Sequence, residues 1–124
     1  MPASRPRAAN YARNKGARAE RELVDQLRAL GLDVERAYGA GRPDDVGDIA
    51  GCEPFVIQAK NYADILRGIR EGLAGAADQA ARVGPGSLPV ALIRRPGGRW
   101  IAVLDLTTFA AIHQRLTHTG ATPE

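Results

Sequence analysis

Cysteine and lysine are both scarce in this chain. Cys52 is the single cysteine in 124 residues. That excludes an internal disulfide framework and a cysteine-based zinc site, and it fits a reducing compartment. Cys52 has no histidine near it in sequence and reads as structural or incidental. Lysine occurs only at Lys15 and Lys60, among 17 basic residues. Arginine stays protonated, whereas lysine can shift its pKa when desolvated, so a lysine in this arginine-rich chain draws notice. No apolar run approaches the ~18 residues of a membrane span. No signal-peptide pattern and no internal repeat is visible. The expectation is a cytoplasmic protein with no membrane partner. His113 and His118 lie late in the chain without ligand partners, and neither reads as a metal ligand.

What is present is a basic balance. The formal charge is +3 and the pI about 9.5, which suits a polyanionic partner. The length fits one domain with a real core. Residues 1–13 read as a flexible basic arm, residues 14–118 as the folded domain and residues 119–124 as a frayed tail. Through Arg18 the cations are Arg5, Arg7, Arg13, Lys15 and Arg18, with no acid among them. Arg5 and Arg7 read as a solvated tail. Arg13, Lys15 and Arg18 abut a helix and read as phosphate contacts.

Hydrophobic periodicity places that helix over about Lys15 to Leu30, with Leu23, Leu27 and Leu30 on one stripe and Gly31 as its stop. Leu32 to Tyr38 alternates as a half-buried strand. Gly39 to Gly47 is a glycine-containing loop that carries Arg42. Ile49-Ala50 and Phe55-Val56-Ile57 flank a Gly-Cys-Glu-Pro turn and read as a hairpin. Asn61 is the expected cap of a helix running from Tyr62 to about Val83, with Ile65, Leu66, Ile69, Leu73, Ala76 and Ala80 as its buried stripe. Gly68, Gly72 and Gly75 in that helix lower its propensity and permit close packing. Arg67, Arg70 and Arg82 read as outward candidates for phosphate contact. Pro89 to Ile93 is a central strand, Trp100 to Leu104 its antiparallel partner, and Asp105 caps a last helix. The fold class is α/β, a mixed central sheet flanked by helices.

The chemistry concentrates between Asp48 and Lys60. A hairpin there brings Asp48 near Gln58, and strand alternation points Gln58 and Lys60 the same way while Ile57 points to the core. A carboxylate with a second oxygen donor can hold Mg²⁺. A lysine beside it can orient or deprotonate a water and neutralise charge on a phosphate. Asp44 and Asp45 compete with Asp48 as the metal carboxylate. Asp48 is preferred because it starts the strand, while Asp44 and Asp45 read as turn residues. Glu20 and Glu22, taken alone, read as helix-dipole or i,i+4 partners.

Asp48 followed by Gln58-Ala59-Lys60 resembles the Asp…(Glu/Asp)-X-Lys signature of the PD-(D/E)XK nuclease superfamily. It departs from that pattern at the neutral Gln58. The segment Asn14-Lys15-Gly16-Ala17-Arg18-Ala19-Glu20-Arg21-Glu22-Leu23 resembles the opening of the archaeal-type Holliday junction resolvases within that superfamily. The resemblance implies a restriction-endonuclease-like core in the order α-β-β-β-α-β-β-α. It implies Glu20, Asp48, Gln58 and Lys60 as catalytic residues, with Glu20, Asp48 and Gln58 holding Mg²⁺, for which Mn²⁺ can substitute. Arg21 and Arg36 match the family's arginines, so the expected DNA contacts are Arg13, Lys15, Arg18, Arg21, Arg36 and Arg42. The implied partner is a four-way junction or other branched duplex, cut by a homodimer whose surface is built from Trp100, Phe109 and the last helix. The alternatives are another nuclease of the superfamily acting on nicks, flaps or plain duplex, and a catalytically degenerate DNA-binding module.

Overall fold

The computed structural model describes residues 7–37 and 47–120, with side chains described over residues 14–37 and 47–118. Its elements are α1 (Arg7–Ala29), β1 (Glu35–Arg36), β2 (Ile49–Ala50), β3 (Phe55–Lys60), α2 (Ile65–Val83), β4 (Leu88–Arg95), β5 (Arg99–Val103) and α3 (Leu106–Gly120). The order matches the expected one, and several boundaries differ for identifiable reasons.

Helix α1 starts at Arg7, well before Lys15. Ala8, Ala9 and Ala12 are strong helix formers and carry the helix back through that stretch. Its buried stripe is Ala19, Leu23 and Val24. Leu30, expected on the stripe, falls past the last turn and lies 77 % exposed. The strand expected over Leu32 to Tyr38 shortens to Glu35–Arg36, with only Val34 of the neighbouring apolar residues buried.

The expected hairpin does not form as a ladder. β2 pairs antiparallel with β1 in a two-stranded sheet, while β3 pairs parallel with β4 and β4 antiparallel with β5. The two sheets meet at Gly47 and Asp48. Gly47 bridges Ile57, and the Asp48 N–H donates to the Ile57 carbonyl at 2.8 Å. Gly47 has φ +98, and a Cβ there would sit 2.6 Å from the Ile57 oxygen. Only glycine lets the backbones come so close.

The three-stranded mixed sheet is covered on both faces. Alternation along β3 and β4 decides which helix meets which residue. Ile57 joins Leu23, Val24, Val34 and Ile49 in the core beneath α1, with Ala59, Leu92 and Trp100 packed against it. Gln58, Lys60 and Ala91 face α2. There the buried seam runs through Gly68, Gly72, Ala76, Gln79 and Ala80, and the larger Leu66 is 69 % exposed. The small residues are required by what β3 presents. A Cβ on Gly72 would meet the Ala91 Cβ at 2.9 Å and the Lys60 Cγ at 3.3 Å, and one on Gly75 would meet the Gln58 Oε1 at 3.2 Å. Helix α2 is capped by Asp64, which accepts from the Arg67 N–H at 3.2 Å. Asn61, the expected cap, lies outside the helix, which begins three residues after Tyr62.

Glu22 is no local helix partner. It accepts from the Arg94 Nε at 2.7 Å, from the Arg94 Nη2 at 3.1 Å and from the Trp100 Nε1 at 2.9 Å. These bonds tie α1 to β4 and β5. They also occupy Trp100, which packs on the core instead of presenting a free surface. The Arg94 bond, with help from Trp100, holds the Glu22 carboxyl below the usual carboxylate range. Its depressed folded pKa means the stabilisation is present above the unfolded value of about 4.3 and fades as pH falls through the folded one. Glu22→Ala is expected to lower stability by about 1–2 kcal/mol at neutral pH in urea titrations, the site being a third exposed. The difference should shrink in acid; a constant difference down to low pH would show that packing, not charge, carries it.

Candidate active site

Three elements converge on one group of charges. Glu20 comes from α1, Asp48 from the residue before β2, and Lys60 from the last position of β3. Asp48 is fixed at both its backbone and its side chain. Its N–H is bonded to Ile57, and its Oδ2 accepts from the Ala59 N–H at 2.7 Å. That bond anchors the carboxylate one residue before Lys60. Glu20 is bonded to the Arg36 Nε at 3.1 Å, both side chains being 21 % exposed. Arg36, expected to touch DNA, is thus placed to hold Glu20.

The electrostatics of Glu20 report its neighbours. Burial raises its pKa most, and the negative charge of Asp48 raises it further. The Arg36 bond, the Arg36 charge and the Lys60 charge oppose the shift without cancelling it. The Glu20 and Asp48 carboxylates lie close enough to repel, with Glu20 partly desolvated and the cations of Arg36 and Lys60 near it. The raised folded pKa means ionised Glu20 opposes folding above that pKa, and the opposition is relieved as pH falls through it. Glu20→Gln is therefore expected to melt at or above the wild-type temperature near pH 7 in EDTA, with the gap closing toward about pH 4. A clearly lower melting temperature near pH 7 would mean that the Arg36 bond outweighs the repulsion.

The donor set fits Mg²⁺, a hard ion that usually takes one or two carboxylates alongside water and phosphate. Among the described residues no three His, Cys, Asp or Glu side chains come together as a metal-holding group. Asp44, Asp45 and Arg42 lie outside the described residues, as does the side chain of Arg13. Gln58 is not drawn to the carboxylates by any hydrogen bond among the described residues. Its amide oxygen lies against Gly75 of α2.

Lys60 opens onto a cleft of about 630 Å³ at the carboxyl end of β3, whose wall also includes Lys15 from α1 and Tyr62 and Arg67 beyond the strand. The Lys60 Nζ lies 5.7 Å and the Arg67 guanidinium 4.9 Å from the Tyr62 ring centroid. Glu71 accepts from the Tyr62 hydroxyl and from the Arg67 Nε, both at 2.9 Å. A smaller groove beside the cleft takes in Arg18 and Arg94. Arg21 is exposed and lies on a separate groove with Arg28 and Arg36. Tyr62 and Glu71 escaped the sequence reading. The Lys-Asn-Tyr run after β3 was the available signal, and its partner Glu71 sits on the next element.

Comparison with protein families, with curated proteins and with solved structures finds no match for this chain.

Proposed function

We propose that this chain is a Mg²⁺-dependent DNA endonuclease of the PD-(D/E)XK type with a restriction-endonuclease-like core, acting on branched duplex as a Holliday junction resolvase. The observation that carries the reading is the meeting of Glu20 and Asp48 beside Lys60, from three separate elements. Mn²⁺ is expected to substitute for Mg²⁺. When bound, the metal supplies positive charge to polarise the scissile phosphate and to acidify the attacking water.

The chain's own residues do the rest. Asp48 and Glu20 would hold the cation with carboxylate oxygens, and Gln58, from the same strand as Lys60, would add a neutral oxygen by turning its amide away from Gly75. Arg36 keeps Glu20 turned toward the pair. The Ala59 N–H holds the Asp48 carboxylate in place through its Oδ2. Lys60, as an ammonium, orients the attacking water and neutralises charge that builds on the phosphate. Lys15, Arg18 and Arg21, with Arg13 and Arg42, supply backbone phosphate contacts that set register without reading sequence. A homodimer places two such sites about a two-fold axis, which suits paired cuts in a two-fold junction. Its surface is proposed along β5 and α3, where Ile101, Leu106, Phe109 and Leu116 stand exposed.

Four-way junction and linear duplex of the same sequence, incubated separately with the full chain and Mg²⁺, test the substrate. Paired symmetric cuts in the junction, with the duplex cut far more slowly, are the expected result. Equal cutting of both would move the assignment to a general duplex nuclease.

A further inference from the structure

Both lysines of the chain line the same cleft. Lys60 serves the carboxylate pair. Lys15 lies five residues before Glu20 on α1, about 7.5 Å along the helix axis, so the cleft extends beside the reacting centre. Neither lysine has a carboxylate partner within ion-pair distance among the described residues. Arg67 stands on the far wall. Its Nε is bonded to Glu71, and its guanidinium lies over the Tyr62 ring, 4.9 Å from the centroid. Its two terminal amino groups have no hydrogen-bond partner among the described residues. Asn61 also lines the cleft. The volume suits a nucleotide-sized group. The position, at the carboxyl end of a parallel strand pair, is where α/β sheets bind ligands.

We infer that this cleft is a second phosphate subsite, binding the backbone phosphate next to the scissile one on the cut strand through Lys15, Asn61 and Arg67. The inference rests on the nuclease reading for the identity of the strand. Among the described residues Lys15, Lys60 and Arg67 outnumber the one carboxylate on the cleft wall, Asp64, which accepts from the Arg67 backbone N–H at 3.2 Å. The wall thus keeps a net positive charge for a phosphodiester, and the fork of Arg67 suits two phosphate oxygens. Glu71 presents Arg67 and also tempers it, since its negative charge sits behind the guanidinium.

The test is binding of a labelled branched DNA to the full chain in EDTA, followed by anisotropy across a range of KCl concentrations. Lys15→Gln and Arg67→Gln are each expected to reduce the log–log salt slope by about 0.9, equivalent to about fivefold weaker binding near 0.15 M salt. Arg82→Gln, at the opposite end of α2, should change the slope by clearly less. Glu71→Gln should bind more tightly than wild type, a gain that misfolding cannot produce. Unchanged slopes for both Lys15→Gln and Arg67→Gln overturn the subsite. So does a mononucleotide that competes as well as the strand, because the cleft would then belong to free nucleotides. Cleavage by the wild type separates the two ideas. Cutting with unchanged slopes sinks the subsite alone. Reduced slopes without any cutting support the subsite and sink the nuclease reading.

Discussion

Asp48→Asn is expected to slow cleavage by on the order of 10³-fold or more. The variant should fold normally, because the asparagine side-chain oxygen can still accept from the Ala59 N–H that now meets Asp48. Junction binding in EDTA should stay close to wild type, since the substitution removes metal charge and leaves the basic residues in place. Single-turnover cleavage and EDTA binding on the same preparation give both readings. Cleavage at the wild-type rate would move the metal carboxylate to Asp44 or Asp45. Loss of binding along with cleavage would instead point to a structural role for the Asp48–Ala59 bond.

The second large effect belongs to Glu20. With Gln58 neutral, Asp48 and Glu20 are the two anions proposed to hold the cation. Glu20→Gln leaves Asp48 alone and should raise the Mg²⁺ concentration for half-maximal cleavage by about tenfold or more, a loss of roughly 1.4 kcal/mol or greater. Gln58→Ala should do less, because the Gln58 amide lies against Gly75 and is bonded to neither carboxylate. Gln58→Glu adds a negative charge on the Lys60 side of β3 and should lower the Mg²⁺ midpoint. Its rate at saturating metal can move either way, since the new charge also repels the substrate phosphate. Three Mg²⁺ titrations rank the residues. A mild Glu20→Gln beside a severe Gln58→Ala would reverse the proposed ligand set.

Much of the fold was legible because it follows from short-range rules. Leu23 and Leu27 of α1, the Gly84-Pro85-Gly86 break and the apolar run of β4 each carry a local pattern that tertiary contacts did not override. The alternation that put Ile57 in the core and Gln58 with Lys60 on the other face also held. What failed was long-range. The Gly-Cys-Glu-Pro turn looks like a hairpin, yet Phe55 to Lys60 finds its partner in β4, and no feature near residue 55 announces a parallel pairing with residue 88. The buried seam of α2 was legible only in part, for a related reason. Ala76 and Ala80 are buried as expected, while Leu66 is exposed and Leu73 half-buried. Leu66 and Leu73 look like core, but the sheet offers Gln58 and Lys60 under that helix, and only glycine leaves room for them. Asp64 took the cap from Asn61 because the chain stays extended past Tyr62, which uses its hydroxyl on Glu71.

The candidate site was legible as a set of residue types and less so as a geometry. Glu20 lies within electrostatic reach of both Asp48 and Lys60. Glu22 differs from Glu20 by two positions, which turns it about 200° around the helix. It reaches Arg94 and Trp100, two residues of the distant β-hairpin. A periodicity argument separates the two glutamates, but only the packing of β4 and β5 shows what Glu22 meets. Arg36 likewise reads as a DNA contact from its position and turns out to be bonded to Glu20.

Cleavage at protein excess, with Mg²⁺, with Mn²⁺ and with EDTA, tests the central claim most directly. A labelled four-way junction is incubated with the full chain under each condition, and binding is measured in parallel. The account predicts strand cuts with either metal, none in EDTA, and binding in all three. Binding in all three with no cut under either metal would contradict it, and would leave a basic DNA-binding module whose Glu20–Asp48 pair performs no chemistry.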